Sequence, residues 1–476
     1  MDIATDATKC VMVVDPGSLA RAIAFIEAMP LPDKRKPLQV LWRLKFSDYA
    51  NTHRGHWKLG MTGYSTAYPS EPCYEVEVTL EGGTSLPAPF GLVDVAFMSN
   101  LDVWQSLAHE INLRPSPTWG VRLSADLRAP TPGEIVTWEL TTPSALTLKT
   151  SAFVGEWMYY PTRFKRVYDP AMGPQTRVAT WPTADILPLV RMLPVADSDY
   201  RIELRGVNVT CNGEGLYCYH AVDGVQLHTV ERLYGGVQED RSVQYESTIT
   251  LPAVHALRVA EQVYGLDYLW QFSLNAGPGQ GWMRYGPVVV FNQFTGYPFP
   301  RNVAERPVLT ARSRSQDVNP FHRRPGEAWV GTLEIKPLIA LLEIFKPHCK
   351  ASNWVLLMRP RGENALDMGY LEGGVENRTE VWLEAPVGEG KLINPQMEYK
   401  RYALNYRYLA DGLGILKKAG HRRVKATLRL PKEITTWEAE REHKEFRELE
   451  LHSIMPFTDA EAAVRYGTTG KKGGGK

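Results

Sequence analysis

Apolar residues recur at helical spacing in three places along the chain, and a run of strand-like alternation follows each one. In SLARAIAFIEAM, residues 18–29, Leu19, Ile23 and Ile26 share one stripe, with Ser18 placed as N-cap and Pro30 as the stop. In TADILPLVRML, residues 183–193, Ile186, Val190 and Leu193 share a stripe; Pro188 fits only a first turn, so the helix is predicted to start near Leu187. In KPLIALLEIFK, residues 336–346, Pro337 opens the helix, and Leu338, Leu341, Leu342 and Phe345 face inward.

Each segment carries a second helical pattern: LDVWQSLAHEI, PAVHALRVAEQVYG and YRYLADGLGILKKAG. Strand patterns such as YEVEVTLEG, RIELRGVNVT, VVVFNQF and VKATLRL fill the intervals. Each segment then closes on a bulky residue before proline, at Tyr160-Pro161, Tyr297-Pro298 and Met455-Pro456. Leu-Pro-Ala also recurs, at Leu86 and Leu251. A period of roughly 150 residues is too long for a solenoid and suits three similar α+β domains, each a sheet with two helices. The predicted domains are residues 1–172, 173–312 and 326–458, with linkers rich in Pro, Gly and charge near 165–177 and 310–327, and a flexible tail from 459 to 476.

Composition narrows the function. The chain has 476 residues, too many for one ordinary core. With 54 basic and 53 acidic residues the balance is neutral, which argues against a wholly basic nucleic-acid coat but permits one basic face. Five scattered cysteines, Cys10, Cys73, Cys211, Cys218 and Cys349, complete no zinc ligand set. They read as free thiols in a reducing cytoplasm. With no apparent export signal and no bilayer-length apolar run, the expectation is an intracellular, cytoplasmic protein without membrane contact.

Catalytic motifs are not legible. The glycines of NAGPGQGWMR lack dinucleotide-loop spacing, and the terminal GTTGKKGGGK lacks both the hydroxyl residue and the helix of a phosphate loop. The two histidines of HAVDGVQLH are wrongly spaced for a helical zinc pair. The expectation is therefore a non-catalytic protein with no cofactor and no metal.

The middle segment carries a resemblance. Arg201, Leu204 and Gly206 before a strand, then AVDGVQL from Ala221 to Leu227, resemble the second domain of the bacterial DNA polymerase III beta sliding clamps. GYPFPRNV resembles that family's aromatic-proline closure, LNYRYLADGLGIL its third-domain helix start, and HSIMPF its Val-Met-Pro-Met ending. These matches fall in order from the middle of the chain to its end, while the first segment shares only the layout.

The resemblance implies a head-to-tail homodimeric ring of six clamp domains that encircles duplex DNA. It implies a processivity factor that tethers the replicative polymerase and binds short peptides of polymerase and clamp-loader subunits between domains 2 and 3. By position, Val222, Gly224, Val225, Gln226, Leu227, Pro298, Asn302 and Val303 would form one side of that groove. Ser453, Ile454, Met455, Pro456 and Phe457 would form the other, with Arg201, Leu204, Asn405 and Tyr408 at rim and floor. Methionine suits a surface that repacks around several peptides. Burying one Leu and one Phe anchor contributes roughly 3–6 kcal/mol before ordering costs, enough for exchangeable binding.

Two positions depart from the family: Gln226 replaces its arginine and Val222 its threonine, making the slot more apolar. DNA would be held by nonspecific phosphate contacts. The candidates are Lys34, Arg35 and Lys36; Arg191 and Arg258; and Lys417, Lys418, Arg422 and Arg423, for each of which a solvated surface role stands beside DNA contact. The competing reading is a β-rich virion or assembly protein without clamp activity, which gives no account of the ordered signatures.

Overall fold

The first helix begins through Asp15, whose carboxylate caps the amide of Ser18, so the helix spans Pro16–Ala28. Ser18, expected as the cap, instead lies inside the first turn, where its hydroxyl accepts from the Thr79 amide at 3.1 Å. Pro16 supplies the preset φ of a helix start. The third predicted helix shifts the same way: it spans Ile335–Ala351, with Pro337 at its third position. The second is broken after Arg191 into two short pieces, and prolines 188 and 194 stand at the second position of each.

The structure, a computed structural model, describes residues 9–29, 39–47, 56–64, 74–81, 95–114, 120–126, 134–142, 146–154, 178–181, 185–196, 206–212, 215–234, 244–265, 270–273, 281–292, 327–373, 377–430 and 433–457. The linkers and the Tyr160 and Tyr297 closures lie outside them, as does the tail.

One order of elements runs through the chain three times, with the first helix of the second repeat in two pieces and one extra strand, β21, in the third. The first repeat is β1 (Lys9–Val14), α1 (Pro16–Ala28), β2 (Gln39–Ser47), β3 (His56–Tyr64), β4 (Tyr74–Val78), β5 (Val95–Asn100), α2 (Leu101–Leu113), β6 (Val121–Asp126), β7 (Ile135–Thr141) and β8 (Thr147–Val154). The second is β9 (Val178–Trp181), α3 (Leu187–Arg191), α4 (Leu193–Ala196), β10 (Gly206–Asn212), β11 (Leu216–Val222), β12 (Gln226–Tyr234), β13 (Gln244–Thr250), α5 (Leu251–Tyr264), β14 (Trp270–Ser273), β15 (Gly281–Tyr285) and β16 (Val288–Asn292).

The third is β17 (Trp329–Glu334), α6 (Ile335–Ala351), β18 (Val355–Pro360), β19 (Leu366–Glu372), β20 (Thr379–Glu384), β21 (Val387–Leu392), β22 (Tyr402–Asn405), α7 (Tyr406–Lys418), β23 (Arg423–Leu428), β24 (Thr435–Glu442) and β25 (Phe446–Ile454). The α+β class and the threefold repetition expected from the hydrophobic pattern are therefore present.

Two compact units cut across the second repeat. Residues 1–185 and 252–294 form one, and residues 186–251 and 295–476 the other. In the first unit a twelve-stranded sheet runs β1-β6-β7-β8-β5-β2-β3-β4-β16-β15-β14-β9. Its core is aromatic: Trp42 stacks on Phe97 at 4.6 Å and meets Trp138 edge-on at 4.8 Å. The Ser99 hydroxyl takes the indole protons of both Trp42 and Trp104, so neither is stranded in the interior.

The second unit holds a nine-stranded sheet, β13-β10-β11-β12-β25-β24-β23-β17-β21, and a four-stranded one, β20-β19-β18-β22. Helices α6 and α7 pack on each other over one contiguous core containing Leu338, Leu342, Phe345, Leu409, Leu413 and Trp437.

The repeats are joined edge to edge by one rule. In each, the third strand of the β2–β5 set is free to accept the last strand of the next repeat. β4 pairs antiparallel with β16, and β12 pairs antiparallel with β25 over nine residue pairs, Gln226↔Ile454 to Tyr234↔Phe446. Both joins continue a sheet across a repeat boundary and remove two exposed edges.

A candidate peptide groove over a charged junction

Of the candidate groove residues that the structure describes, those of 222–227 and 453–456 meet at the β12–β25 seam of the second unit. Asp223 and Gly224 turn β11 into β12. The Asp223 carboxylate accepts from the Val225 and Gln226 amides, both at 2.9 Å, and from the Gln226 side chain at 3.0 Å. Gly224 takes φ +92°, a conformation that a Cβ would strain.

Past the last ladder pair, the Met455 amide donates to the Val225 carbonyl at 2.9 Å, which brings the two side chains together at the seam's end. Val225 is 39% and Met455 48% exposed, while Leu227 and Ser453, directly paired behind them, are buried. Strand alternation puts Val225, Leu227, Ser453 and Met455 on one face. Val222, Gln226, Ile454 and Pro456 are buried around them.

Asn405 ends β22 and caps α7 by accepting from the Arg407 amide at 2.9 Å, and Tyr408 lies in the first turn of that helix. Phe457 turns toward the four-stranded sheet. Its amide donates to the Ala403 carbonyl, and its ring packs on Val355, Leu357, Leu371 and Ala403 of the four-stranded sheet. Arg201, Leu204, Pro298, Asn302 and Val303 lie outside the described residues.

The opposite face of the same seam is ionic and dry. His228 and His452 are direct partners, with their Nδ1 atoms 3.3 Å apart. His452 Nε2 sits 2.8 Å from the Tyr408 carbonyl and so donates to it. Its Nδ1 must then accept, and the shared proton belongs to His228. Burial, then the charge of His228, pushes His452 down to about 3. His228 Nε2 faces Glu450 at 3.4 Å, and Arg191 of α3 reaches the other Glu450 oxygen at 2.8 Å.

Burial alone would raise Glu450, but the approach of His228 and His421 and the Arg191 charge hold it well below the usual carboxylate range. One turn of the ladder away, Glu448 takes Arg232, its direct partner, and Arg441 at 3.0 Å. His421, Glu448 and Glu450 present donors close enough together to resemble a cation site. Three arginines already fill that space, so these residues do not fit a metal ion.

Sequence reasoning missed this junction, and it placed Arg191 among DNA contacts. The structure turns the Arg191 guanidinium inward, 11% exposed, against Glu450 and Glu448. The readable signal was the sign pattern: His228, Val230 and Arg232 on one strand match His452, Glu450 and Glu448 on the other.

Among the remaining basic candidates, Lys417, Lys418, Arg422 and Arg423 are exposed where α7 ends, and Arg258 is partly exposed on α5. Lys34, Arg35 and Lys36 lie outside the described residues. Cys10, Cys211, Cys218 and Cys349 are buried and form no disulfide among the described residues, and burial pushes Cys10 and Cys349 up to about 12. Among the described residues no helix is long and apolar enough to cross a membrane.

Three α+β repeats whose sheets continue edge to edge define a class of architecture that solved structures share. Compared by sequence, the chain matches no family model and no curated protein. Compared by structure, it has the fold of the DNA polymerase III beta sliding clamps. It is similar to the beta subunit from Pseudomonas aeruginosa, with TM-score 0.60 and 14% identity, covering 94% of this chain and 99% of that one. The beta subunit from Thermotoga maritima gives 0.61 and 12%, covering 95% and 100%. That from Streptococcus pyogenes gives 0.61 and 10%, covering 94% and 100%.

Proposed function

We propose that this chain is a DNA sliding clamp, a non-catalytic processivity factor that closes as a homodimeric ring around duplex DNA in the cytoplasm. The observation that carries the reading is the joining rule. Two of the three third-position strands, β4 and β12, are taken by the last strand of the following repeat. The third, β20, pairs with β19 alone among the described residues, none of which lies on its outer edge as a strand. The last strand left over is β8, which pairs with β7 along its length but with β5 only at Phe153 and Val154.

The same rule applied once more joins β20 of one copy to β8 of a second, head to tail. Applied at both ends it closes two copies and gives every third-position strand a partner. An apolar group stands ready on β20 itself, where Leu383 is 40% exposed.

The Val225–Met455 surface supports the second half of the proposal, docking of extended peptides from polymerase and clamp-loader subunits. A slot with preformed apolar walls and a polar turn at its rim suits apolar anchors on such a peptide. DNA is held topologically, with salt-dependent phosphate contacts.

Sedimentation should give a dimer, and the dimer loaded on circular duplex should be retained until the circle is linearised. A monomer, or equal retention on circular and linear DNA, would remove the clamp reading. Glu380→Pro, at an alternate ladder position whose amide faces the outer edge of β20, should yield monomers that still fold.

A further inference from the structure

A cleft of about 780 Å³ opens between the start of α6, the loop after α7 and β24. Five cations line it, Lys336, Lys417, Arg422, Arg423 and Arg441, against two anions, Glu334 and Glu440. Its size is that of a small-molecule site.

The ion pairs show which charges remain available. Arg423 has Glu334 at 3.9 Å, Glu440 is held by Arg447 at 2.6 Å, and Arg441 is committed to Glu448 and the Ala419 carbonyl. Lys336, Lys417 and Arg422 are exposed and make no ion pair among the described residues.

The backbone adds a donor. The Glu334 side chain makes no capping bond to α6. The Ile335 amide is taken by the Arg422 carbonyl and Pro337 has none to give, which leaves the Lys336 amide at the mouth of a seventeen-residue helix. His421 also lines the cleft, with its Nε2 turned to Glu450 at 3.7 Å, so it belongs to the junction behind and leaves the three cations as the side-chain donors.

We propose that this cleft is a phosphate-binding site for linked phosphate groups, held by Lys336, Lys417 and Arg422 with the α6 amide. Uncommitted cations beside a helix start favour a polyanion over a monovalent carboxylate. Two sources carry that chemistry: the backbone of the encircled DNA, which rests on the clamp reading, and a free polyphosphate or nucleotide, which does not.

Titration calorimetry with inorganic tripolyphosphate should show saturable binding to the full chain. Lys336→Ala with Arg422→Ala should weaken it at least tenfold at unchanged melting temperature, and Glu334→Gln should tighten it. On a short linear duplex, the double variant should lower the salt dependence of binding by one to two phosphate contacts, a slope change of about 1–2. That loss assigns the site to nucleic acid. An unchanged duplex slope with weakened tripolyphosphate binding assigns it to a free polyphosphate. No tripolyphosphate binding by the parent, or binding indifferent to the double variant, overturns the proposal. Retention on circular DNA is scored separately, so the clamp reading can fail while the cleft stands.

Discussion

The imidazole of His452 occupies the place where a side chain on Gly412 would begin: a Cβ there would lie 2.1 Å from His452 Cδ2. Glycine in a helix interior ordinarily costs about 0.5–1 kcal/mol relative to alanine. At this position it is what lets α7 close over the β12–β25 seam. Gly412→Ala should therefore destabilise the chain, by about 1–3 kcal/mol from overpacking, instead of stabilising it. In a His452→Ala background the same change should be neutral or favourable. A double-mutant cycle by urea unfolding reads the coupling, and additive effects would separate the two residues.

Arg191 and Glu450 form the second testable pair, 2.8 Å apart with the carboxylate fully buried. Removing one member of such a pair leaves an uncompensated interior charge, at about 3–5 kcal/mol. Arg191→Met alone should cost that much, and Arg191→Met with Glu450→Gln should recover most of it. Thermal denaturation of the three proteins checks this. If the single variant melts like the parent, Arg191 is facing solvent and returns to the list of DNA contacts.

Stability should fall on acidification from pH 6.5. Burial pushes His220 down to about 4, and burial with the His228 charge pushes His452 down to about 3. Both are neutral when folded and take up protons more readily when unfolded. Their contribution is complete above pH 6.5 and is lost as pH falls through 4 and 3. Asp411 acts in the opposite sense. Burial first, then the nearby Asp223 charge, raises it to about 6, so its contribution is present below its ordinary value of 3.8 and lost as pH rises through 6. Asp411→Asn should make the chain more stable at pH 8 and steepen the loss between pH 6.5 and 4, as read by urea midpoints at each pH.

The sequence made the helices and the repetition legible because each helix buries a stripe that recurs at 3.6 residues, as Leu338, Leu342 and Phe345 do. The seam was not legible, for a physical reason. QLHTVERLY and FRELELHSI alternate like strands with one wet face, yet both are buried almost throughout. Their polar residues meet each other across a repeat boundary instead of meeting water. His228 and His452 stand 224 positions apart, and only the pairing register tells that they touch. Local periodicity carries no information about a partner strand, so Arg191 was read as a surface cation. The exposed end of the seam was easier, since a Met-Pro pair follows directly on an alternating strand.

Met455 is the group on which peptide binding and stability should come apart. Half of its surface is open, so Met455→Ala removes little buried area from the folded chain and should cost about 0.5 kcal/mol or less. Leu227 is buried against the ladder, and Leu227→Ala should cost about 2–5 kcal/mol. In the bound state the thioether would be covered by a peptide anchor, and its loss then forfeits contact area on both partners. Calorimetry with a peptide from the cognate polymerase should therefore show at least a fivefold weaker Kd for Met455→Ala at an unchanged melting temperature, with the dimer intact by sedimentation. An unaltered Kd would mean that peptides dock elsewhere. A lowered melting temperature would mean that Met455 is part of the core, and that its exposure in the free chain does not mark a binding surface.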